Sequence, residues 1–139
     1  MGPLSGVRVI ELAHIMAGPC CGLMLADMGA DVIKLEKAPA GDDSRRFLPP
    51  DIGDESAAFL MMNRNKRGIV VDLKTAGGKQ VARRLFAEAD VVIENYRKGT
   101  MYLLVFCYHF LFYSSVPSHL SPFFFSLLSL SLSFFFSFF

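Results

Sequence analysis

The feature that most constrains this chain is where its charge stops. Its 14 Lys and Arg and 13 Asp and Glu side chains all lie between Met1 and Met101, and none occurs from Tyr102 to Phe139. A soluble domain needs an apolar interior under a largely charged surface, so an ordinary globular fold is expected within residues 1–101. The remainder holds eleven of the fourteen Phe residues and is otherwise mostly Ser and Leu. The two parts are therefore read separately.

In the charged part, apolar runs alternate with helical patterns. Arg8-Val9-Ile10-Glu11-Leu12 is short and β-branched, as a buried parallel strand would be. Ala13 to Pro19 reads as a loop, followed by a helix from Cys20 to Met28. Pro19 suits the first turn of that helix, where its missing N–H would be unpaired in any case. Gly29 stands where a helix end favours a left-handed residue. Asp31 to Glu36 is a second strand, completing a βαβ unit with right-handed crossover. Lys37 to Asp54, rich in Pro, Gly and Asp, reads as a loop, and Ser56 to Met62 as a short helix. Gly68 to Asp72 is a third strand. Ala76 to Ala89 is a helix with Val81, Ala82, Leu85, Phe86 and Ala89 on one face and Lys79, Arg83, Arg84 and Glu88 on the others. Val91 to Glu94 is a fourth strand. This order predicts an α/β fold with a doubly wound, mostly parallel open sheet.

Ligands of such sheets sit beyond the carboxyl ends of the strands. The corresponding loops are Ala13 to Pro19, Lys37 to Asp43, Leu73 to Ala76 and Asn95 to Gly99. They gather Lys37, Lys74, Arg97 and Lys98, a set that could hold a phosphate-rich ligand, although the fold alone favours ordinary solvated charge. There is no G-x-x-x-x-G-K-[ST] and no G-x-G-x-x-G after the first strand, which removes P-loop and nicotinamide or flavin fingerprints. His14 has no ligand-spaced partner and reads as a loop histidine packed on its neighbours. Arg64, Lys66 and Arg67 form a basic cluster that reads equally as a solvated turn or a phosphate contact. A net charge of +1 gives no reason to expect nucleic acid or an anionic membrane surface. Cys20, Cys21 and Cys107 contain no C-x-x-C, so neither a disulfide framework nor a structural zinc site is expected, and a reducing compartment fits.

Several stretches together are more specific than any of these motifs. Pro3-Leu4-Ser5-Gly6-Val7-Arg8-Val9-Ile10-Glu11-Leu12, Ala17-Gly18-Pro19, and the run from Leu25 to Glu36 resemble family III CoA-transferases, the family that includes formyl-CoA and carnitine-CoA transferases and α-methylacyl-CoA racemases. Gly41-Asp42-Asp43-Ser44-Arg45, Asn63 to Ile69, Asp72-Leu73-Lys74 and Glu94 to Met101 continue the resemblance in order. It implies coenzyme A, as acyl-CoA, for the ligand, with a small carboxylic acid as second substrate, no metal, and a homodimer of interlocked chains. It implies transfer through a family aspartate that attacks the thioester and becomes an aspartyl-CoA intermediate. By match to the family's motifs, Met16, Ala17, Lys37, Val71, Asp72, Leu73, Lys74, Asn95, Tyr96 and Arg97 are the expected CoA-contacting positions. Lys37 stands where relatives place an arginine beside the adenine and phosphates. The catalytic aspartate falls beyond the matching stretches, so no catalytic residue is expected in this chain. The chain accordingly reads as an N-terminal piece without turnover of its own. The alternatives are a racemase-like piece and a non-enzymatic CoA-binding or membrane-attached remnant.

Residues 102–139 read as a low-complexity apolar tail. Pro122 to Phe139 is uncharged over 18 residues, but five are Ser and Leu128 to Ser133 alternates with a strand period, so a membrane span is not expected. Phe, Ser, Leu and Pro share pyrimidine-rich codons, and the Met101-Tyr102 codons necessarily contain GTA. A translated intron is the expectation. No signal or transit pattern precedes Pro3, which points to the cytoplasm, or to mitochondria if an upstream exon carries a signal.

Overall fold

A computed structural model of the chain describes residues 2–98 and 100–101. The expectations for the tail, including the membrane and intron readings, lie outside the described residues, as does Gly99.

Four parallel strands form the sheet: β1 (Arg8–Glu11), β2 (Asp31–Lys37), β5 (Arg67–Val71) and β6 (Val91–Ile93), in the order β5-β2-β1-β6. A separate antiparallel pair, β3 (Asp51–Ile52) and β4 (Glu55–Ser56), forms a small hairpin. Helices α1 (Ala17–Asp27), α2 (Ala57–Asn63) and α3 (Ala76–Ala87) connect the sheet strands. The doubly wound α/β expectation is thus met. The sheet grows from β1 outward through β2 to β5, then returns to the far side of β1 with β6. This reversal puts the topological switch point between β1 and β6.

The core follows from this order. β1 is a central strand, and Val9, Ile10 and Leu12 are fully buried. Val9, Ala13, Ala26, Ala30, Val32 and Ile93 form one packed cluster, with Leu4, Val7, Leu25 and Val91 against it. Each fully buried aliphatic side chain contributes about 1.5–3 kcal/mol. β5 is an edge strand, and Ile69 and Val70 remain exposed there.

Two boundaries differ from expectation. α1 begins at Ala17, so Ala13 to Pro19 is not all loop. The first four helical N–H groups have no internal acceptor, so Pro19 fits the third helical position as well as the first. Gly18 makes this early start possible: a β-carbon there would overlap that of Ala13. Lys37 to Asp54 is also not all loop. It contains a 3₁₀ turn at Asp43–Arg46, capped by Asp42, and one strand of the hairpin. Other ends agree to within two residues. Ser56 is the α2 cap, accepting from the Phe59 N–H, and Gly29 has φ +96° after α1.

Candidate functional site

At the switch point, the loop after β1 meets the segment after β6. The His14 N–H donates to Asn95 Oδ1 (2.9 Å), and Asn95 Nδ2 donates back to the His14 carbonyl (2.8 Å). The His14 ring lies 5.6 Å from that of Tyr96 at 57°, with Nε2 and the phenol oxygen 3.3 Å apart. Burial pushes the Tyr96 phenol up to about 12, and the charges of Glu94 and Asp42 add to this. Burial also lowers His14, further helped by Lys34 and Lys37, against the opposing pull of Asp42. At neutral pH the pair is an uncharged imidazole beside a protonated phenol.

Beneath this loop runs a buried chain of alternating charge. Lys34 Nζ reaches Asp42 Oδ2 (2.8 Å), Glu11 Oε1 (2.7 Å) and the Ala13 carbonyl (2.8 Å). Glu11 Oε2 in turn faces Lys66 Nζ at 2.8 Å. Lys66 also donates to the Pro19 carbonyl (2.8 Å) and Asn63 Oδ1 (3.1 Å). The four charges balance, and each ammonium lies within 3.1 Å of three oxygens, and pairing is the condition under which buried ions are tolerated. Gly22 admits the Glu11 carboxylate against α1, since a β-carbon there would overlap it. Burial alone would raise Asp42. The Lys34 ammonium and the Ser44 donors outweigh it and hold the carboxyl well below the usual range.

Asp42 ties the first two loops together. Its Oδ1 accepts from the Ile15 N–H (3.1 Å), the Ser44 N–H (2.9 Å) and the Ser44 hydroxyl (2.8 Å). Ile15 has φ +68°, a region that disfavours β-branched residues and costs of order 1–3 kcal/mol.

The expected contact residues divide by loop. Met16 and Ala17 are exposed where α1 begins, and Met16 caps the helix without a side-chain hydrogen bond. Lys37 is exposed at the end of β2 but engaged by both Asp43 oxygens (2.6 and 2.7 Å). Val71 is buried, whereas Asp72 and Lys74 are exposed on the turn into α3. Asn95 spends its side chain on His14, Tyr96 is half-buried against His14, and Arg97 is exposed. All ten therefore lie along one edge of the sheet, and the structure joins the Met16 loop directly to the Asn95–Tyr96 segment.

The basic cluster divides: Arg64 and Arg67 are exposed, as a solvated turn would have them, and Lys66 is not. Arg64 pairs with Asp27 (2.6 Å), Arg67 with Asp31 (2.7 Å), and Lys66 is buried against Glu11. A cavity of about 130 Å³ nearby is lined by Lys34, Glu36, Arg45, Phe59 and Lys66 among others. Arg45 there is held by Glu36 and Glu55 and lies over the Phe59 ring. Each of these cations is paired with a carboxylate of the fold.

Sequence reasoning passed over Glu11, Lys34 and Asp42 as a unit. One signal was available: parallel register sets Arg8 to Glu11 beside Asp31 to Lys34, so Glu11 falls opposite Lys34. Among the described residues, no group of His, Cys, Asp and Glu could hold a metal, and no helix is long and apolar enough to cross a membrane.

Comparison with known proteins agrees with this architecture. The profile of CoA-transferase family III matches residues 4–110. Succinate–glutarate CoA-transferase of Agrobacterium fabrum is 56% identical over 102 residues, covering 69% of this chain and 26% of the relative. Human succinyl-CoA:glutarate CoA-transferase is 43% identical over 99 residues, covering 71% and 23%. Formyl-CoA:oxalate CoA-transferase of Escherichia coli O6:H1 is 44% identical over 101 residues, covering 71% and 24%. The crystal structure of a CAIB/BAIF family protein from Brucella suis superposes with a TM-score of 0.68 at 50% identity, covering 72% of this chain and 27% of that one. The chain thus spans about a quarter of the length of these relatives.

Proposed function

From its membership of CoA-transferase family III, to which the chain belongs, we propose that residues 12–98 form part of an acyl-CoA binding site. The observation that carries this reading is the row of four loops on one carboxyl edge, with the loops after β1, β2 and β6 joined by hydrogen bonds. The outer strands are three sheet steps apart, roughly 14 Å at about 4.8 Å each. Such a row suits an elongated nucleotide thioester better than a compact ion. In this reading Met16 and Ala17 contribute exposed backbone at the free N–H end of α1. Lys37, Lys74 and Arg97 supply phosphate charge. Val71, Asp72 and Leu73 flank the ligand, while Asn95 and Tyr96 shape the pocket wall.

The complete protein would move CoA between small carboxylic acids through an aspartyl intermediate, as a homodimer. The printed names of the relatives make succinyl-CoA with glutarate, and formyl-CoA with oxalate, the pairs to assay first. The same names favour the transferase branch over the racemases. No residue in residues 1–101 matches the family nucleophile, so this chain binds without turnover.

Calorimetric titration of the 139-residue chain with coenzyme A tests the reading. Saturable binding that weakens with salt and in Lys74→Ala is expected. No binding by a folded chain overturns it, and succinyl-CoA:glutarate exchange by this chain alone would overturn the assignment of no turnover.

A further inference from the structure

The loop between β1 and α1 is gripped at each of residues 13–15. Lys34 holds the Ala13 carbonyl, Asn95 holds both backbone polar groups of His14, and Asp42 holds the Ile15 N–H. Lys34 and Asp42 grip it on either side of His14 and are paired with each other at 2.8 Å. Asp42 is fully buried, and it comes from a different loop. A left-handed, β-branched residue persists only where its surroundings over-determine it. Here the conformation at Ile15 decides where the next two residues go: Met16 and Ala17 emerge outward, at the first exposed turn of α1.

We propose that Asp42 is the positioning residue of the CoA site, holding Ile15 in its left-handed conformation so that the Met16–Ala17 backbone is aimed at the ligand. The inference rests on the reading that Met16 and Ala17 contact CoA. Asp42 itself touches no ligand; it acts through the Ile15 N–H. Lys34 fixes its far oxygen, and Ser44 fixes its near one with two donors. The facing groups are thus Lys34, Ser44, Ile15 and, at 3.9 Å, His14 Nδ1. The arrangement makes a distinctive demand. Loss of Asp42 should be repairable at the site, though not in the core, by any residue that accepts positive φ without strain, and glycine does so.

The test compares Asp42→Ala, Ile15→Gly and the double variant in the full chain. Asp42→Ala should lower CoA affinity by about tenfold or more, and Asp42/Ile15 double replacement should restore it to within about threefold of the parent. The melting temperature of the double variant should stay low, because Lys34 still lacks its partner. That split between recovered affinity and unrecovered stability is not expected of a residue that only holds the core together. Ile15→Gly alone should bind normally. A loss of affinity there, or no recovery in the double variant, overturns the proposal. Where Asp42→Ala does not fold, Asp42→Asn retains an oxygen for Ile15 and should lose stability with little loss of affinity; a full loss of affinity in a folded chain overturns it. Failure of the parent to bind CoA defeats the functional reading and leaves the hold of Asp42 on Ile15 to be tested separately. Hydrogen exchange then decides it: Asp42→Ala must speed exchange at residues 13–17 above the rest of the sheet, and unchanged exchange there sinks it.

Discussion

The two ends of the site are built by opposite means. The loop after β1 is held from a distance: its partners Lys34, Asp42 and Asn95 lie 21 to 81 residues away in the chain. The turn after β5 is held by its own residues. The Lys74 N–H donates to Asp72 Oδ1 (2.9 Å), the Thr75 hydroxyl to the Asp72 carbonyl (2.9 Å), and the Gly78 N–H to the Thr75 hydroxyl (3.0 Å). Local bonds form whenever the local sequence is right. Distant ones require the sheet to be assembled first. A change in the second end should therefore stay where it is made, whereas a change in the first should reach the whole unit.

The largest effect should come from Lys34→Met. It leaves Glu11 and Asp42 buried without their shared ammonium, and removing one partner of a buried ion set costs about 3–5 kcal/mol. Urea denaturation would read this as a lower midpoint, together with weaker CoA binding. A loss below about 1 kcal/mol would mean that the two carboxylates relax or protonate easily, and the contrast between the two ends would collapse.

Acid should attack the same end. Asp42 is depressed in the folded chain, so its contribution is full above its unfolded value, near 3.9, and is lost as pH falls below about 4 towards the still lower folded value. His14 acts in a higher window. Its folded value is lowered from about 6.5, so the unfolded chain takes the proton first and stability falls as pH drops through about 6.5. Midpoints measured between pH 7 and 3 should fall in two stages. His14→Gln should abolish the upper stage and spare the lower; an unchanged upper stage would remove His14 from the account.

The distance of the partners also explains what was legible in the sequence. The α3 pattern around Ala82 and Phe86 was readable because its causes lie within a few residues. Val81 belonged to the same pattern yet is 40% exposed. The strand Asp31–Lys37 shows the opposite case. Lys34 and Glu36 carry charge yet are buried on the same face as Val32. Their partners Glu11 and Arg45 become visible only once register and the fold of residues 38–46 are known. Lys66, grouped by sequence with Arg64 and Arg67, leaves them for the same reason and enters the core beside Glu11.

Thr75→Ala tests the locally built end. Loss of a helix N-cap costs about 1 kcal/mol, a small shift in midpoint, and CoA affinity should change only through Lys74. Exchange at Ile15 and Met16 should not respond. If it does, the two ends are coupled through the sheet and the division drawn above fails.

The smallest effect should be a gain. Lys37 is the one expected phosphate contact that lies at the seam of the two ends, at the last residue of β2 and level with Val71. Both oxygens of Asp43 now occupy its ammonium, in a pair that is nearly half exposed. An exposed pair of this kind is worth about 0.2–1 kcal/mol, which a phosphate must displace before Lys37 can serve it. Asp43→Asn should therefore raise CoA affinity by about two- to fivefold, with most of the gain at low salt. Asp42, one residue earlier, should show the reverse when altered, because it points inward to Ile15 and Lys34. Adjacent aspartates with opposite effects on one ligand would show that the loop after β2 orders the first end through Asp42 while restraining Lys37 through Asp43. A fall in affinity for Asp43→Asn would instead make Asp43 the group that orients Lys37, and the seam would belong wholly to the ordered end.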